Sequence, residues 1–162
     1  MDTEIKFCPP KKEDGPLVHQ LIASCPPLDT NSMYCNLLQC CHFSDTSVTA
    51  WHRRSLVGFI SGYEHPDRSD TLFIWQVAVS ERVRGKGVGS GMLKDILSRS
   101  DNPDFSFIET TITEDNQASW SLFESLAGNL NAELNRSVIF DEQQHFHGQH
   151  ASEFLVRIGP FN

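Results

Sequence analysis

The sequence lacks several features that would assign it to common functional classes. No apolar run approaches the roughly 20 residues of a membrane-spanning helix, and residues 1–10 lack the charged-then-apolar pattern of a secretion signal. Basic residues are few, 13 against 21 acidic ones, and the formal charge of −8 argues against nucleic acid as a partner. The same charge suits a small cationic substrate.

Cysteine usage indicates the redox compartment, and chain length indicates the number of domains. The cysteine count is five, an odd number that includes the adjacent Cys40 and Cys41, and without a signal peptide we interpret all five as reduced cytoplasmic thiols. No internal repeat or low-complexity tract interrupts the chain. With 162 residues, the length predicts one domain over residues 1–162 with a sizeable core.

The chain is organised around residues 72–97. Residues 72–79 form an apolar, β-branched and aromatic run that predicts a buried strand. Apolar residues then recur at helical spacing from Val88 to Leu97. Residues 82–91 between them carry four glycines and three basic residues, so the sequence predicts a glycine-rich loop between a strand and a helix.

Such a loop is suited to binding phosphate. Glycines let successive backbone N–H groups point inward, and the helix N-terminus adds partial positive charge. The Gly-Lys-Ser/Thr ending of a P-loop is absent, and G-x-G-x-x-G is not met. The R-x-x-G-x-G spacing of Arg84, Gly87 and Gly89 resembles the pyrophosphate loop of the GNAT acetyltransferase superfamily, which holds acetyl-coenzyme A. A glycine-rich turn in an unrelated α/β domain is the alternative.

The remaining elements follow from periodicity and breakers. Strands are predicted at residues 5–8, 47–51, 56–63, 105–112, 134–140 and 153–158, and helices at 13–24, from 28–32 to about 40, and at 116–127, with Gly128 and Asn129 as the last cap. Residues 65–70 are predicted to be a loop. The order β-α-α-β-β-β-α-β-α-β-β matches the GNAT fold, an α/β (α+β) fold. Its mixed, mostly antiparallel central sheet splays after the fourth strand and carries helices on both faces.

Four further stretches carry a closer resemblance. They are residues 25–34 (CPPLDTNSMY), 75–79 (WQVAV), 108–119 (IETTITEDNQAS) and 157–161 (RIGPF). Together they resemble the L-2,4-diaminobutyrate acetyltransferase family of ectoine biosynthesis, over nearly the whole chain after about Phe7. The resemblance implies transfer of acetyl from acetyl-coenzyme A to the γ-amine of L-2,4-diaminobutyrate, and a homodimer.

The superfamily resemblance also implies where acetyl-coenzyme A binds. A bulge near Gln76 and Val77 would free a backbone N–H for the thioester carbonyl, with Val77 and Val79 pairing to the pantetheine arm. Many members carry a tyrosine acid seven residues after Asn116, but this chain has Phe123 there. The implied cofactor-binding residues are Gln76, Val77, Ala78, Val79, Arg84, Gly85, Lys86, Gly87, Val88, Gly89, Ser90, Asn116, Ser119 and Phe123.

The resemblance implies five substrate residues, and four of them have an ordinary structural alternative. Asp29 could be a helix N-cap, Tyr34 a packing residue, Trp75 plain core and Glu153 an exposed edge charge. His150 matches the family's Gly-x-His-x-x-Glu, here residues 148–153. We expect Glu153 and His150 to hold one end of the substrate and Asp29 and Tyr34 to lie near the γ-amine. Asp29, Tyr34 and Glu153 are the catalytic candidates.

The pattern His145-x-His147-x-x-His150 also invites a metal interpretation. Its spacing is not a standard zinc spacing, and GNAT chemistry needs no metal, so we expect none and assign no role to His145 and His147. Two other functions stay open: a GNAT enzyme for another small diamine such as ornithine or a polyamine, and a non-catalytic acyl-coenzyme A sensor.

Overall fold

The computed structural model describes residues 4–161, so the outermost residues of the predicted 1–162 domain lie outside this range. The chain forms two compact units. The first holds the chain up to Tyr63 together with Trp75–Pro103, and the second holds Glu64–Ile74 and the chain from Asp104 onward. The assignment of the whole chain to one domain stays a prediction.

The helices and strands follow the predicted order in the described part of the chain. They are β1 (Lys6–Cys8), α1 (Gly15–Ala23), α2 (Met33–Cys41), β2 (Val48–His52), β3 (Ser55–His65), β4 (Arg68–Val79), α3 (Val88–Leu97), β5 (Phe107–Thr113), α4 (Gln117–Asn129), β6 (Leu134–Phe140) and β7 (Glu153–Ile158). Short 3₁₀ turns precede α1, β2 and α3. No helix within residues 4–161 has the length and apolar character needed to cross a membrane.

The seven strands form one mixed sheet in the order β1-β2-β3-β4-β5-β7-β6. Parallel pairing joins β4 to β5, whereas β1 with β2, β2 with β3, β5 with β7 and β6 with β7 pair antiparallel. The β4–β5 register covers Thr71–Ile74 and Phe107–Thr110, although both strands continue beyond it. The expected sheet, mostly antiparallel and parting after its fourth strand, is confirmed.

In the first unit, β3 carries helices on both faces because its side chains alternate. Phe59 is fully buried in a cluster with residues of α1 and α2, including Val18 and Cys40. Gly58, on the opposite face, lies against Met92 of α3, and a Cβ at this glycine would come within about 3.0 Å of the Met92 side chain. A Cβ at this position would therefore require the Met92 side chain to shift by a few tenths of an ångström.

In the second unit, a buried carboxylate ties three strands together. Glu109 of β5 is 2% exposed and accepts hydrogen bonds from Arg68 of β4 and Arg157 of β7. The Arg157 guanidinium also lies 3.7 Å from the centre of the Phe107 ring. Two arginines thus satisfy the charge of a carboxylate that would otherwise be costly to bury.

Two predictions about connections are wrong. Residues 65–70 are not a loop, because β3 continues to His65 and β4 begins at Arg68 after a two-residue turn. Nor do Gly128 and Asn129 cap α4, since both lie within it. The left-handed residue is Asn131, at φ 51°, and Ala132 donates its N–H to the carbonyl of Ala127 at 3.0 Å. Asparagine supplies the left-handed conformation in place of glycine.

Candidate active site

The predicted phosphate loop forms between β4 and α3. Ser80 leaves the strand with its N–H bonded to the Val57 carbonyl at 2.8 Å. Val83 and Val88 are buried on either side of the loop, while the residues between them are exposed. Gly87 has φ 76° and leads directly into α3, a conformation that costs a residue with a Cβ. Buried valines hold the loop, and its glycine backbone stays accessible.

The electrostatics of this loop suit an anion. Arg84 and Lys86 are exposed, and the Arg84 Nε donates to the Val79 carbonyl at 3.3 Å, which holds its guanidinium beside the strand end. The first N–H groups of the ten-residue helix α3 add the positive end of a helix dipole. Backbone donors and two exposed cations together can hold a pyrophosphate.

The end of β4 carries the residues predicted to bind the pantetheine arm. Ala78 is buried in the core cluster of the first unit. The Val79 carbonyl already accepts from the Cys25 thiol at 3.5 Å and from Arg84. The N–H of Val79 is therefore the group through which this residue would pair with the arm.

The position of Ser80 relative to β3 bears on the predicted bulge of β4. Simple pairing outward from the turn at residues 66–67 would place Val57 opposite Gln76. Ser80, four residues further along by number, is bonded to Val57 instead. The chain from the turn to Ser80 thus has four more residues than the facing part of β3, whereas a single bulge adds one. The position of the bulge near Gln76 and Val77 stays a prediction.

The remaining predicted cofactor residues lie on α4 in the second unit. Asn116 is the N-cap, and its side chain accepts from the Ser119 N–H at 3.2 Å. Phe123, at the position of the usual acid, is 1% exposed and packs in the core of this unit. Phenylalanine carries no proton to give to a thiolate. The predicted contacts of these residues with the cofactor stay predictions.

In the first unit, the structure excludes the structural alternatives for the substrate candidates. Ser32, not Asp29, is the N-cap of α2, since its Oγ accepts from the Cys35 N–H at 3.0 Å. Tyr34 is 61% exposed and Trp75 is 44% exposed, so neither is a packed core residue. All three side chains are available to a ligand, which their predicted role requires.

In the second unit, Glu153 is not an edge charge. It begins β7, which lies between β5 and β6, and pairs with Thr113 on one side and Phe140 on the other. The His150 ring lies 4.5 Å from the ring of Phe146, and its Nδ1 is 2.6 Å from the Ala151 carbonyl oxygen. Because a carbonyl only accepts, Nδ1 carries the proton, and Nε2 is the atom with which His150 would contact a substrate.

His145 has a hydrogen-bond partner within this segment, and His147 adopts a turn conformation. The Nδ1 of His145 accepts the Asp141 N–H at 2.7 Å, and His147 adopts φ 53° in the turn before Gly148. The Asp141 carboxylate accepts from the N–H groups of Gln143 and Gln144, which lower its pKa. Within residues 4–161, no group of three or more histidine, cysteine or acidic residues is placed to hold a metal ion.

Sequence reasoning missed two contacts beside the substrate candidates. Tyr63 packs edge-on against Trp75, with ring centres 6.1 Å apart, and burial raises the pKa of its phenol. The side chain of Gln76 bonds to Asp29 and Asn31. Both contacts join residues that are distant in sequence, so no local motif predicts them. The one sequence signal for these contacts is the length of β4, because a long strand can contact several distant segments.

Comparison with known proteins is consistent with this geometry. The model of the acetyltransferase (GNAT) family matches residues 17–128. The L-2,4-diaminobutyric acid acetyltransferase of Methylotuvimicrobium alcaliphilum is 55% identical over 97% of this chain and 91% of its own length. That of Vibrio parahaemolyticus is 53% identical over 94% of this chain and 84% of its own.

Solved structures agree with the sequence relatives. Diaminobutyrate acetyltransferase EctA from Paenibacillus lautus, in complex with its substrate L-2,4-diaminobutyric acid and coenzyme A, matches with a TM-score of 0.93 and 36% identity. The match covers 99% of this chain and 97% of that one. Arabidopsis thaliana Naa50, with a TM-score of 0.71 and 15% identity, shares the fold. This chain belongs to the GNAT acetyltransferase family and, within it, to the family of the L-2,4-diaminobutyric acid acetyltransferases.

Proposed function

We propose that this protein transfers an acetyl group from acetyl-coenzyme A to the γ-amine of L-2,4-diaminobutyrate, giving N-γ-acetyl-L-2,4-diaminobutyrate for ectoine biosynthesis. The observation that carries the proposal is the match over 99% of the chain to a diaminobutyrate acetyltransferase bound to that substrate and coenzyme A. The exposed glycine loop, with Gly87 in the left-handed conformation at the start of α3, supports it independently.

Acetyl-coenzyme A is the co-substrate, and residues 84–90 bind its pyrophosphate. The backbone N–H groups after Gly87 and the cations of Arg84 and Lys86 neutralise the phosphates. Val77 and Val79 pair with the pantetheine arm, which directs the thioester along β4. A backbone N–H near the predicted bulge donates to the thioester carbonyl and stabilises the oxyanion that forms during attack.

The reaction proceeds by direct attack in a ternary complex. The γ-ammonium loses one proton to water, because an ammonium is not a nucleophile, and the amine nitrogen then forms a bond to the thioester carbon. The C–S bond then breaks, and the thiolate of coenzyme A leaves. The attacking nitrogen gives up its second proton as the amide forms. A free thiol has a pKa of about 8.5, so the thiolate takes that proton, or one from water, without a side-chain acid. The absence of a hydroxyl at Phe123 is compatible with this route.

The substrate residues divide between its two ends. Asp29 binds the γ-ammonium before it loses its proton, and Tyr34, directly or through water, orients the amine. Trp75 forms a wall for the short aliphatic stem. Glu153 and His150 hold the α-ammonium and α-carboxylate away from the thioester. This division is needed because the α-amine is intrinsically the more acidic one and would otherwise compete.

The setting of the enzyme is proposed with its activity. We place the enzyme in the cytoplasm, where its co-substrate acetyl-coenzyme A is present. The reducing conditions there keep its five free cysteines as thiols. The family resemblance supports a homodimer. No nucleic acid, membrane or metal takes part in the proposed reaction.

A substrate panel tests the function. Purified protein is given acetyl-coenzyme A with diaminobutyrate, ornithine or a polyamine, and free coenzyme A is measured by chromatography, since the protein's own thiols react with thiol reagents. Turnover is expected with diaminobutyrate and not with ornithine. Preference for ornithine or a polyamine would make the protein another small-diamine acetyltransferase. Coenzyme A binding without turnover of any amine would favour the sensor function.

A further inference from the structure

The side chain of Gln76 ties the segment between α1 and α2 to the central strand. Its Nε2 donates to the backbone carbonyl of Asp29 at 2.9 Å, and its Oε1 accepts from the Nδ2 of Asn31 at 3.3 Å. Two residues further along β4, Ala78 belongs to the core that α1 and α2 share. One amide thus holds two residues of a segment 45 to 47 positions earlier in the sequence.

The orientation of both amides follows from their chemistry. A backbone carbonyl only accepts hydrogen bonds, so the nitrogen of Gln76 must face Asp29. The oxygen of Gln76 then faces Asn31, which must present its own nitrogen. Neither amide can be reversed without placing two acceptors or two donors against each other. The pair is therefore a specific joint between segment and strand.

Among residues 4–161, few other hydrogen bonds fix the part of the segment that carries the Asp29 carboxylate. Leu28, just before it, packs on the first-unit core, and its N–H bonds to the Cys25 carbonyl at 3.0 Å. Ser32, just after it, caps α2. Between these anchors, Asp29 and Asn31 are both held by Gln76. The position of the carboxylate relative to β4 thus depends on this one side chain.

We propose that Gln76 is a positioning residue, whose side chain sets the Asp29 carboxylate at the distance from β4 that the substrate amine requires. The proposal rests on the proposed function, in which Asp29 binds the γ-ammonium and the following residues of β4 hold the pantetheine arm. In this arrangement the backbone of β4 binds the arm that ends in the thioester. The Gln76 side chain of the same strand binds the segment that holds the amine. Gln76 keeps the nucleophile and the thioester in register.

The test uses a neutral substitution of similar length. Gln76→Met keeps an unbranched side chain and removes both hydrogen bonds without adding charge. Asn31→Ala removes one of the two bonds from the segment side. Gln20→Met, at an exposed position of α1, is the matched control for the same substitution elsewhere in the first unit.

Gln76→Met is expected to raise KM for diaminobutyrate at least tenfold and to leave KM for acetyl-coenzyme A within twofold, because only the amine-binding segment is released. Asn31→Ala should give a smaller rise in the same constant, and Gln20→Met should match the wild type. Unchanged KM for diaminobutyrate in Gln76→Met would overturn the proposal. The proposal would also be overturned if Gln76→Met lost coenzyme A affinity as strongly as diaminobutyrate affinity and melted at a lower temperature. Such a result would mark a merely structural role for Gln76.

A double-mutant cycle shows whether Gln76 acts through Asp29. In an Asp29→Ala background the carboxylate is gone, so adding Gln76→Met should change kcat/KM by less than twofold. A full additional tenfold loss would contradict the proposal. Nitrogen-15 relaxation of the backbone at residues 29–32, measured without substrate, should show larger motions in Gln76→Met than in the wild type. This last measurement holds even if the wild type fails to turn over diaminobutyrate, which would refute the proposed function alone.

Discussion

Replacing Gly87 by valine should separate ligand binding from folding. Gly87 has φ 76°, and a Cβ built there meets no protein atom within 4 Å. The folded protein therefore loses only the cost of a left-handed residue, about 1–2 kcal/mol. In a chain of this size, that cost lowers the melting temperature by about 2–8 °C. The fold should persist.

Coenzyme A binding should suffer far more than stability. The open space beside Gly87 is where the pyrophosphate is proposed to lie, so the valine side chain would displace it from the backbone N–H groups. Two charge-assisted hydrogen bonds are worth about 3 kcal/mol or more, which is a loss of at least a hundredfold in Kd. Calorimetric titration with coenzyme A and a thermal melt measure the two effects on the same sample.

Gly128→Val is the matched control. Gly128 lies inside α4, where φ is helical, and a Cβ there also meets no protein atom within 4 Å. Valine has a slightly better helix propensity than glycine, so stability should stay within about 0.5 kcal/mol and coenzyme A affinity should not change. Wild-type affinity in Gly87→Val would refute the assignment of this loop to the pyrophosphate.

Three further predictions concern charge and burial. Glu109→Ala should lower the free energy of unfolding by about 3 kcal/mol in urea, because its two arginine partners lose a carboxylate that is 2% exposed; a loss under about 1 kcal/mol would contradict this. Burial raises the pKa of Cys40 to about 12, so iodoacetamide at pH 8.5 should label exposed Cys41 long before Cys40, and equal labelling by mass spectrometry would disagree. Asp29→Asn and Glu153→Gln should each lower kcat/KM for diaminobutyrate about tenfold to a hundredfold with little change in coenzyme A affinity; unchanged kinetics in both would move the substrate site elsewhere.

The fold could be predicted from the sequence where local signals agree. Hydrophobic runs bounded by breakers gave β6 and β7 with the bounds that the structure has. Serine before a periodic segment predicted the start of α2 at Ser32 among several cap candidates. The turn at residues 66–67 was missed because the polar residues after it, from Arg68 to Asp70, resemble a loop until the sheet pairs them.

The candidate site divides in the same way. The phosphate loop is local, since a strand, its glycines and a helix follow one another, and the structure forms each where the pattern predicts it. The joint between Gln76 and the Asp29 segment is not local, because its partners are 45 or more residues apart. The same holds for Glu109 and Arg157, which are 48 positions apart. The Glu109–Arg157 pair depends on strand register, and the Gln76 joint depends on how the segment before α2 packs on β4. A single sequence reveals neither.

The position of the acetyl group on the product distinguishes acetylation of the γ-amine from acetylation of the α-amine. Wild-type protein is incubated with acetyl-coenzyme A and L-2,4-diaminobutyrate, and the product is examined by two-dimensional NMR. Correlation of the acetamide N–H with a CH₂ marks the γ product, and correlation with the α-CH marks the other. The account predicts the γ product alone. Acetylation of the α-amine, or no acetylated product from an enzyme that binds coenzyme A normally, would contradict it.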